Sequence, residues 1–206
     1  MNNMIALAEP YINGNEWKYV KECLDTGWVS SAGKFVDRFE QEIAAYLGVE
    51  HAVAVVNGTA ALHLSLIIAG IMPNDEIIVP TLTFIAPVNV VRYVGAHPIF
   101  FGCDPDTLCI DVQKVKEFIM NECEMQGDGY CYNKNTKRRV RAVIPVQVFG
   151  HPAEMDELVE LCRQNNILII EDATESLGST YKGKKTGGLG DLGCLSFNGN
   201  KIITTG

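Results

Sequence analysis

Apolar positions recur every three or four residues at the start of this chain and then gather into short runs. Over 15–26, Trp17, Val20 and Leu24 share one helical stripe that stops at Gly27, which predicts an amphipathic helix with a glycine cap. Phe35, Phe39, Ile43 and Leu47 repeat the pattern, so a second helix is predicted over 34–47, with Gly48 just beyond it. After Gly48 the pattern changes. Short β-branched runs predict strands at 51–56, 76–79, 98–101, 141–149 and 167–170, and they alternate with helical segments at 59–69, 84–94, 112–121 and 154–164. Such alternation predicts a largely parallel sheet covered by helices on both faces, with a continuous apolar run such as Ile167-Leu-Ile-Ile170 at its centre. The fold class read here is α/β, one domain over 1–206 with N-terminal helices within 15–47 and an α/β core over 51–206. The polar, glycine-bearing stretch 122–139 is read as a surface hairpin inserted in that core. In a sheet of this kind, ligands bind at the carboxyl ends of the strands.

Composition narrows the class. An apolar content of 47% with 20% charged residues over 206 positions is that of a soluble globular protein. The start has no basic segment followed by an apolar one, and no run approaches the roughly 20 residues of a membrane span, so a cytoplasmic protein without membrane contact is expected. A net charge of −8 disfavours nucleic acid as a partner. The clusters Lys182, Lys184, Lys185 and Lys137, Arg138, Arg139, Arg141 are read as solvated loops. Seven cysteines, odd in number and without a C-x-x-C pair, predict free thiols in a reducing compartment, and the isolated His51, His63, His97 and His151 are assigned no metal.

The candidate chemistry lies at strand ends. Lys201 follows a Gly-Asn turn near the end of the chain, and Asp172 lies just past the apolar run at 167–170. A lysine amine can condense with an aldehyde, and a carboxylate against a pyridine nitrogen keeps that nitrogen protonated; together these are what pyridoxal chemistry needs. Asn57-Gly58-Thr59-Ala60 stands where a predicted strand gives way to a helix, an arrangement that serves either as a phosphate site or simply as an N-cap. Phe84 lies beyond another strand, where it stacks on a planar ring or packs in the core. Ser196, close to Lys201, offers a hydroxyl to a phosphate.

These residues belong to a longer series of motifs: Leu7-Ala-Glu-Pro10, Gly27-Trp-Val-Ser-Ser31, Asn57-Gly-Thr-Ala-Ala-Leu-His63, Val79-Pro-Thr-Leu-Thr-Phe84, Val146-Gln-Val-Phe-Gly150, Glu171-Asp-Ala173 and Ser196-Phe-Asn-Gly-Asn-Lys-Ile-Ile-Thr-Thr-Gly206. In them the chain resembles the DegT/DnrJ/EryC1/StrS family of pyridoxal-phosphate sugar aminotransferases, within the fold type I superfamily. The resemblance implies that Lys201 holds pyridoxal 5'-phosphate as a Schiff base and moves the proton during transfer. It implies that Asp172 pairs with the pyridine nitrogen, that Phe84 covers the ring, and that Gly58, Thr59, Ala60 and Ser196 bind the phosphate. Glu175 stands where the family commonly has Gln near the ring hydroxyl, and Gln147 where many members have His. Family members with His in place of the lysine are dehydratases, so Lys201 implies transamination. The loop bearing Trp28, Ser30 and Ser31, read as substrate contacts, together with Glu171-Asp-Ala-Thr-Glu-Ser176, is most similar to LegC-type enzymes of legionaminic acid pathways. The implied substrates are L-glutamate and a nucleotide-linked acetamido 4-keto-6-deoxy sugar, handled by a homodimer.

The chain halts directly after its lysine, and neither the C-terminal small domain of fold type I nor the partner-derived phosphate ligand is found in it. It therefore reads as cut short. Two alternatives stay open: a catalytically silent fragment or binding module of the same fold, and a fold type I desulfurase acting on cysteine, which the sugar-family loop at 27–31 disfavours.

Overall fold

The computed structural model describes Ile5, Glu9 and residues 11–205; the opening motif at 7–10 and the final Gly206 therefore lie largely outside the described residues. Two helices lead the chain, α1 (Glu16–Thr26) and α2 (Lys34–Leu47), each closed by a left-handed glycine, Gly27 or Gly48, whose N–H returns to a carbonyl of the last turn. The core follows as α3 (Gly58–Ile68), β1 (Glu76–Pro80), α4 (Ile85–Tyr93), β2 (His97–Phe101), α5 (Val112–Glu122), β3 (Cys123–Met125), β4 (Cys131–Asn133), β5 (Val140–Val143), α6 (Met155–Gln164), β6 (Leu168–Asp172), β7 (Thr180–Tyr181), β8 (Lys184–Lys185) and β9 (Leu192–Cys194).

Five strands form one sheet in the order β2-β1-β5-β6-β9, and every pairing in it is parallel. The chain runs outward from β1 to β2 and then returns past β1 to β5, so the order reverses between β1 and β5. At such a reversal the loops from neighbouring strands part and leave a crevice at their carboxyl ends. The strands β1 and β5 are buried at every position, as apolar runs between two helical layers must be. One layer holds Val115 and Ile119 of α5 and Leu158 and Leu161 of α6 against Ile78, Val143 and Ile169. The other holds Leu62 and Leu66 of α3 and Val90 and Val91 of α4 against Ile77, Val79, Ile144 and Ile170. Alternate residues of each strand thus feed opposite cores.

Three expectations need correction, and three short strands are added to them. The run 51–56 forms no strand: Val53 and Val56 are 73% and 88% exposed, and the N–H of Ala54 bonds the Glu40 carboxylate at 2.7 Å instead of a neighbouring strand. β propensity needs a partner to pair with, and none of the described strands lies beside it. The strand foreseen over 141–149 ends at Val143; beyond it Val146 makes a single bridge to Asp172, and 148–150 form a tight turn with φ of +52° at Phe149 and +84° at Gly150. The short strand β9 and the small β7–β8 hairpin had no periodic signal and went unforeseen. Residues 122–139 contain the antiparallel pair β3–β4, but they are not wholly superficial, since Cys123, Cys131 and Asn133 turn inward and are buried.

All seven cysteines are free thiols, five of them buried. No helix among the described residues is long and apolar enough to cross a membrane.

Candidate active site

The crevice is built from the carboxyl ends of β1, β5, β6 and β9. After β6 the backbone stays fixed: Asp172 N donates to Pro145 O at 2.9 Å, Gln147 N donates to Asp172 O at 3.0 Å, and Ala173 N donates to Cys194 O at 2.9 Å. Asp172 is 3% exposed, and its Oδ1 accepts the N–H of Thr174 at 3.1 Å. Burial pushes its carboxyl above the usual carboxylate range, against the downward pull of the Thr174 hydrogen bonds and the Lys201 charge. An enclosed acid of this kind is a ready partner for a protonated ring nitrogen.

Lys201 rides on the loop after β9. Its N–H donates to Asn198 O at 2.8 Å, while Phe197 O accepts both Thr204 Oγ1 and Thr205 N, which folds 197–205 back on itself. The ring of Phe197 packs edge-on against Phe39 of α2, with centroids 4.9 Å apart. So anchored, Lys201 Nζ lies 3.3 Å from Glu175 Oε1, and Glu175 Oε2 accepts the N–H of Phe149 at 3.3 Å. Glu175, whose position the family resemblance puts near the ring hydroxyl, thus holds the lysine amine with its carboxylate.

At the start of α3, Asn57 caps the helix: its Oδ1 accepts the N–H of Ala60 at 2.8 Å, and its carbonyl takes the N–H of Ala61 at 3.0 Å. The N-cap reading of this motif therefore holds for Ala60, while the N–H groups of Gly58 and Thr59 stay clear of that cap and remain able to receive an anion. Gly58 is required by space. A Cβ there would meet Ser196 Cβ and Thr174 Cγ2, each at 3.1 Å. The helix end, the Ser196 hydroxyl and Thr174 thus converge in a cradle that a side chain would fill, which fits a phosphate group.

Phe84 is the N-cap residue of α4 and is 75% exposed, so it does not pack in the core; its ring is free at the end of β1. Trp28 and Ser30 lie elsewhere. They line an open cleft of about 700 Å³ with Cys23, Lys34 and Phe35 of α1 and α2, and none of the strand-end residues borders it; Ser31 is not part of its wall. The fold of this single chain therefore unites Gly58, Thr59, Thr174, Asp172, Glu175, Ser196 and Lys201, and leaves the 28–31 loop apart.

Thr174, given no role from the sequence, completes the picture, since it touches both the cradle and Asp172. Several members of the basic clusters have partners: Arg139 forms a two-point bond with Asp75 at 2.8 and 3.0 Å, Lys182 pairs with Asp156, and Lys185 lies over the Tyr46 ring.

A parallel α/β sheet whose carboxyl edge joins an anion-receiving helix end, an enclosed acid and a lysine defines a phosphate-cofactor site of the type expected for aminotransferases. The chain belongs to the DegT/DnrJ/EryC1/StrS aminotransferase family, whose sequence profile matches residues 10–206. It is 46% identical over 202 residues to a GDP-perosamine synthase of Caulobacter vibrioides, covering 98% of this chain and 50% of that protein. Among solved structures, it superposes on a DegT/DnrJ/EryC1/StrS aminotransferase from Brucella abortus with a TM-score of 0.81 at 32% identity, covering 91% of this chain and 48% of that one. The PLP form of a putative sugar aminotransferase from Streptococcus pneumoniae gives a TM-score of 0.82 at 27% identity, with 97% and 50% covered. The chain thus spans about half the length of the curated relatives it matches.

Proposed function

We propose that this chain forms the cofactor-binding part of a pyridoxal-phosphate-dependent sugar aminotransferase. The amine leaves L-glutamate as 2-oxoglutarate forms, and it converts the 4-keto group of a nucleotide-linked 4-keto-6-deoxy sugar into an amino group. The observation that carries this reading is the meeting of Lys201 with Glu175 on the edge that also holds the enclosed Asp172. Pyridoxal phosphate, when bound, supplies the aldehyde that takes up the donor's amine and a ring that accepts electrons. The chain's own groups do the rest. Gly58, Thr59 and Ser196 bind the phosphate, with Ala60 in the same helix turn; Asp172 holds a proton on the ring nitrogen; Phe84 offers its free face as a cover. Lys201 anchors the cofactor and carries the proton between carbon centres as acid and base. Glu175 holds the lysine amine in place.

The substrate is proposed as a 2-acetamido sugar of the LegC type, from the loop bearing Trp28, Ser30 and Ser31. Because those residues stand apart from the cofactor edge of this chain, they are assigned to substrate contact in an assembled homodimer. The exposed apolar side chains of α3, Leu64, Ile67 and Ile68, support a surface that a second copy covers. The name of the Caulobacter relative favours a GDP-linked sugar as one member of the test panel.

The test is to incubate the protein with pyridoxal phosphate, glutamate and a panel of GDP-, UDP-, CMP- and dTDP-linked 4-keto-6-deoxy sugars, and to identify by mass which sugar gains an amine. Amination of an acetamido sugar is the expected result. Reaction of non-acetamido sugars alone removes the LegC-type assignment. A chain that never forms a borohydride-sensitive visible band with the cofactor is instead a silent module of this fold, and a band bleached by cysteine rather than glutamate points to desulfurase chemistry.

A further inference from the structure

Two carboxylates stand in succession at the end of β6, and the one turned away from the cofactor crevice is the more deeply enclosed. Glu171 and Gln147 are both fully buried. Glu171 Oε1 accepts from Gln147 Nε2 at 2.9 Å, Glu171 Oε2 accepts the N–H of Leu189 at 3.0 Å, and Gln147 Oε1 accepts the N–H of Ala153 at 2.7 Å. Gln147 Nε2 also reaches Met155 Sδ at 3.5 Å. Both carboxylate oxygens thus accept from donors. No salt bridge to Glu171 is found among the described residues, so neutral donors alone offset the cost of its burial. Apolar residues of the same volume would fill this space but leave the N–H groups of Leu189 and Ala153 without acceptors, so the pair ties the segments at 153 and 189 to the end of β6.

The backbone suggests what the pair is for. The N–H of Gln147 bonds the carbonyl of Asp172, and the N–H of Asp172 bonds Pro145 O. Two residues after Gln147, the positive-φ turn at Phe149 and Gly150 aims the Phe149 N–H at Glu175, whose other oxygen receives Lys201 Nζ. Gln147 and Glu171 therefore grip both sides of the crevice floor from beneath. We propose that Gln147 and Glu171 form a buried clamp of positioning residues that sets where the Asp172 carboxylate and the Glu175–Lys201 pair stand relative to the bound cofactor. This rests on the pyridoxal-phosphate reading above, and neither residue touches the cofactor in it.

The test separates positioning from mere stability. In the full chain, Gln147→Leu combined with Glu171→Leu removes the polar pair while filling its volume; Glu171→Gln serves as a second, nearly isosteric variant. Three readouts are compared: melting temperature without cofactor, the dissociation constant for pyridoxal phosphate, and the pH midpoint of the visible band of the lysine-bound cofactor. The double variant leaves the N–H groups of Leu189 and Ala153 without acceptors and is expected to melt below the parent. Glu171→Gln is expected to melt close to the parent, and both variants to bind the cofactor about tenfold or more weakly and to titrate at a displaced midpoint, because small misplacements at a reacting centre cost large factors. Gln147→His, which keeps a donor toward Glu171, is expected to retain the parent's midpoint. Variants that melt differently but keep both the dissociation constant and the midpoint would overturn the clamp. If the parent chain itself forms no borohydride-sensitive band, the functional reading falls and the clamp with it.

Discussion

Glu171 and Asp172 are both buried at neighbouring positions of one strand, and their surroundings differ. Toward α5 and α6, Glu171 meets the amide of Gln147 and the N–H of Leu189, and the helices covering that side turn charged residues outward, among them Lys114, Lys116, Glu157 and Glu160. Toward α3 and α4, Asp172 has the N–H of Thr174 and the field of Lys201, beneath a helix end whose first N–H groups remain free for an anion. The outer surface on that side is apolar as well: Leu66 of α3 is fully buried, while its neighbours Ile67 and Ile68 are 54% and 65% exposed. A helix that is apolar around its whole circumference belongs inside a protein or against a partner. The α5/α6 side thus surrounds its acid with donors from this chain, whereas the α3/α4 side keeps an open helix end and an apolar outer face.

The sharpest way to break this contrast is at the lysine. Lys201→Ala is expected to abolish the borohydride-sensitive band and the transfer activity entirely, while leaving the far-side core and the melting temperature nearly unchanged; a persistent band would remove the lysine from its role. Next comes Asp172→Asn. Cofactor affinity should fall strongly, measured by titration of absorbance, since the ring nitrogen loses its partner. The ligand-free variant should nevertheless be as stable as the parent or more so above the usual carboxylate range. Burial raises the folded carboxyl's pKa, so the native state holds its proton more tightly than the unfolded chain, and ligand-free stability falls as pH climbs from the ordinary aspartate value through the raised one. A stability that rose through that window would contradict the assignment.

A third experiment tests the two sides of α3. Leu66→Ala should cost about 2–5 kcal/mol in denaturant unfolding, because it opens a cavity in a closed core. Ile67→Ser, one position along, should change monomer stability by no more than about 0.5 kcal/mol and instead weaken self-association in sedimentation. Equal costs at both sites would show that the outer face is already packed. The smallest effect is expected at the α1 surface, where Lys21→Ala removes a pair with Asp25 that is more than half exposed on both sides; melting should move within the scatter of the measurement.

Much of this architecture was legible in the residue pattern. The stripe Phe35, Phe39, Ile43, Leu47 delivered α2 at its observed bounds, and the continuous apolar run ahead of Asp172 delivered a buried parallel strand. Gly58 and Ser196 were legible as candidates, but their closeness was not: Ser196 and Thr174 approach the place that a Cβ at Gly58 would occupy. The strand foreseen at 51–56 failed for the converse reason, because a local pattern cannot say whether a neighbouring strand is at hand.

Periodicity, caps and turn residues act within a few positions of one another, so the chain alone determined its helices, most of its sheet strands and the ordered motifs of its family. Which side of β6 each acid would face, that Glu175 rather than Asp172 would hold the amine of Lys201, and that Gln147 would close on Glu171 from 24 positions away were decided only when the sheet assembled. Those contacts depend on strand order and register, and these are fixed by burying two apolar faces at once, a constraint that no short stretch of residues contains.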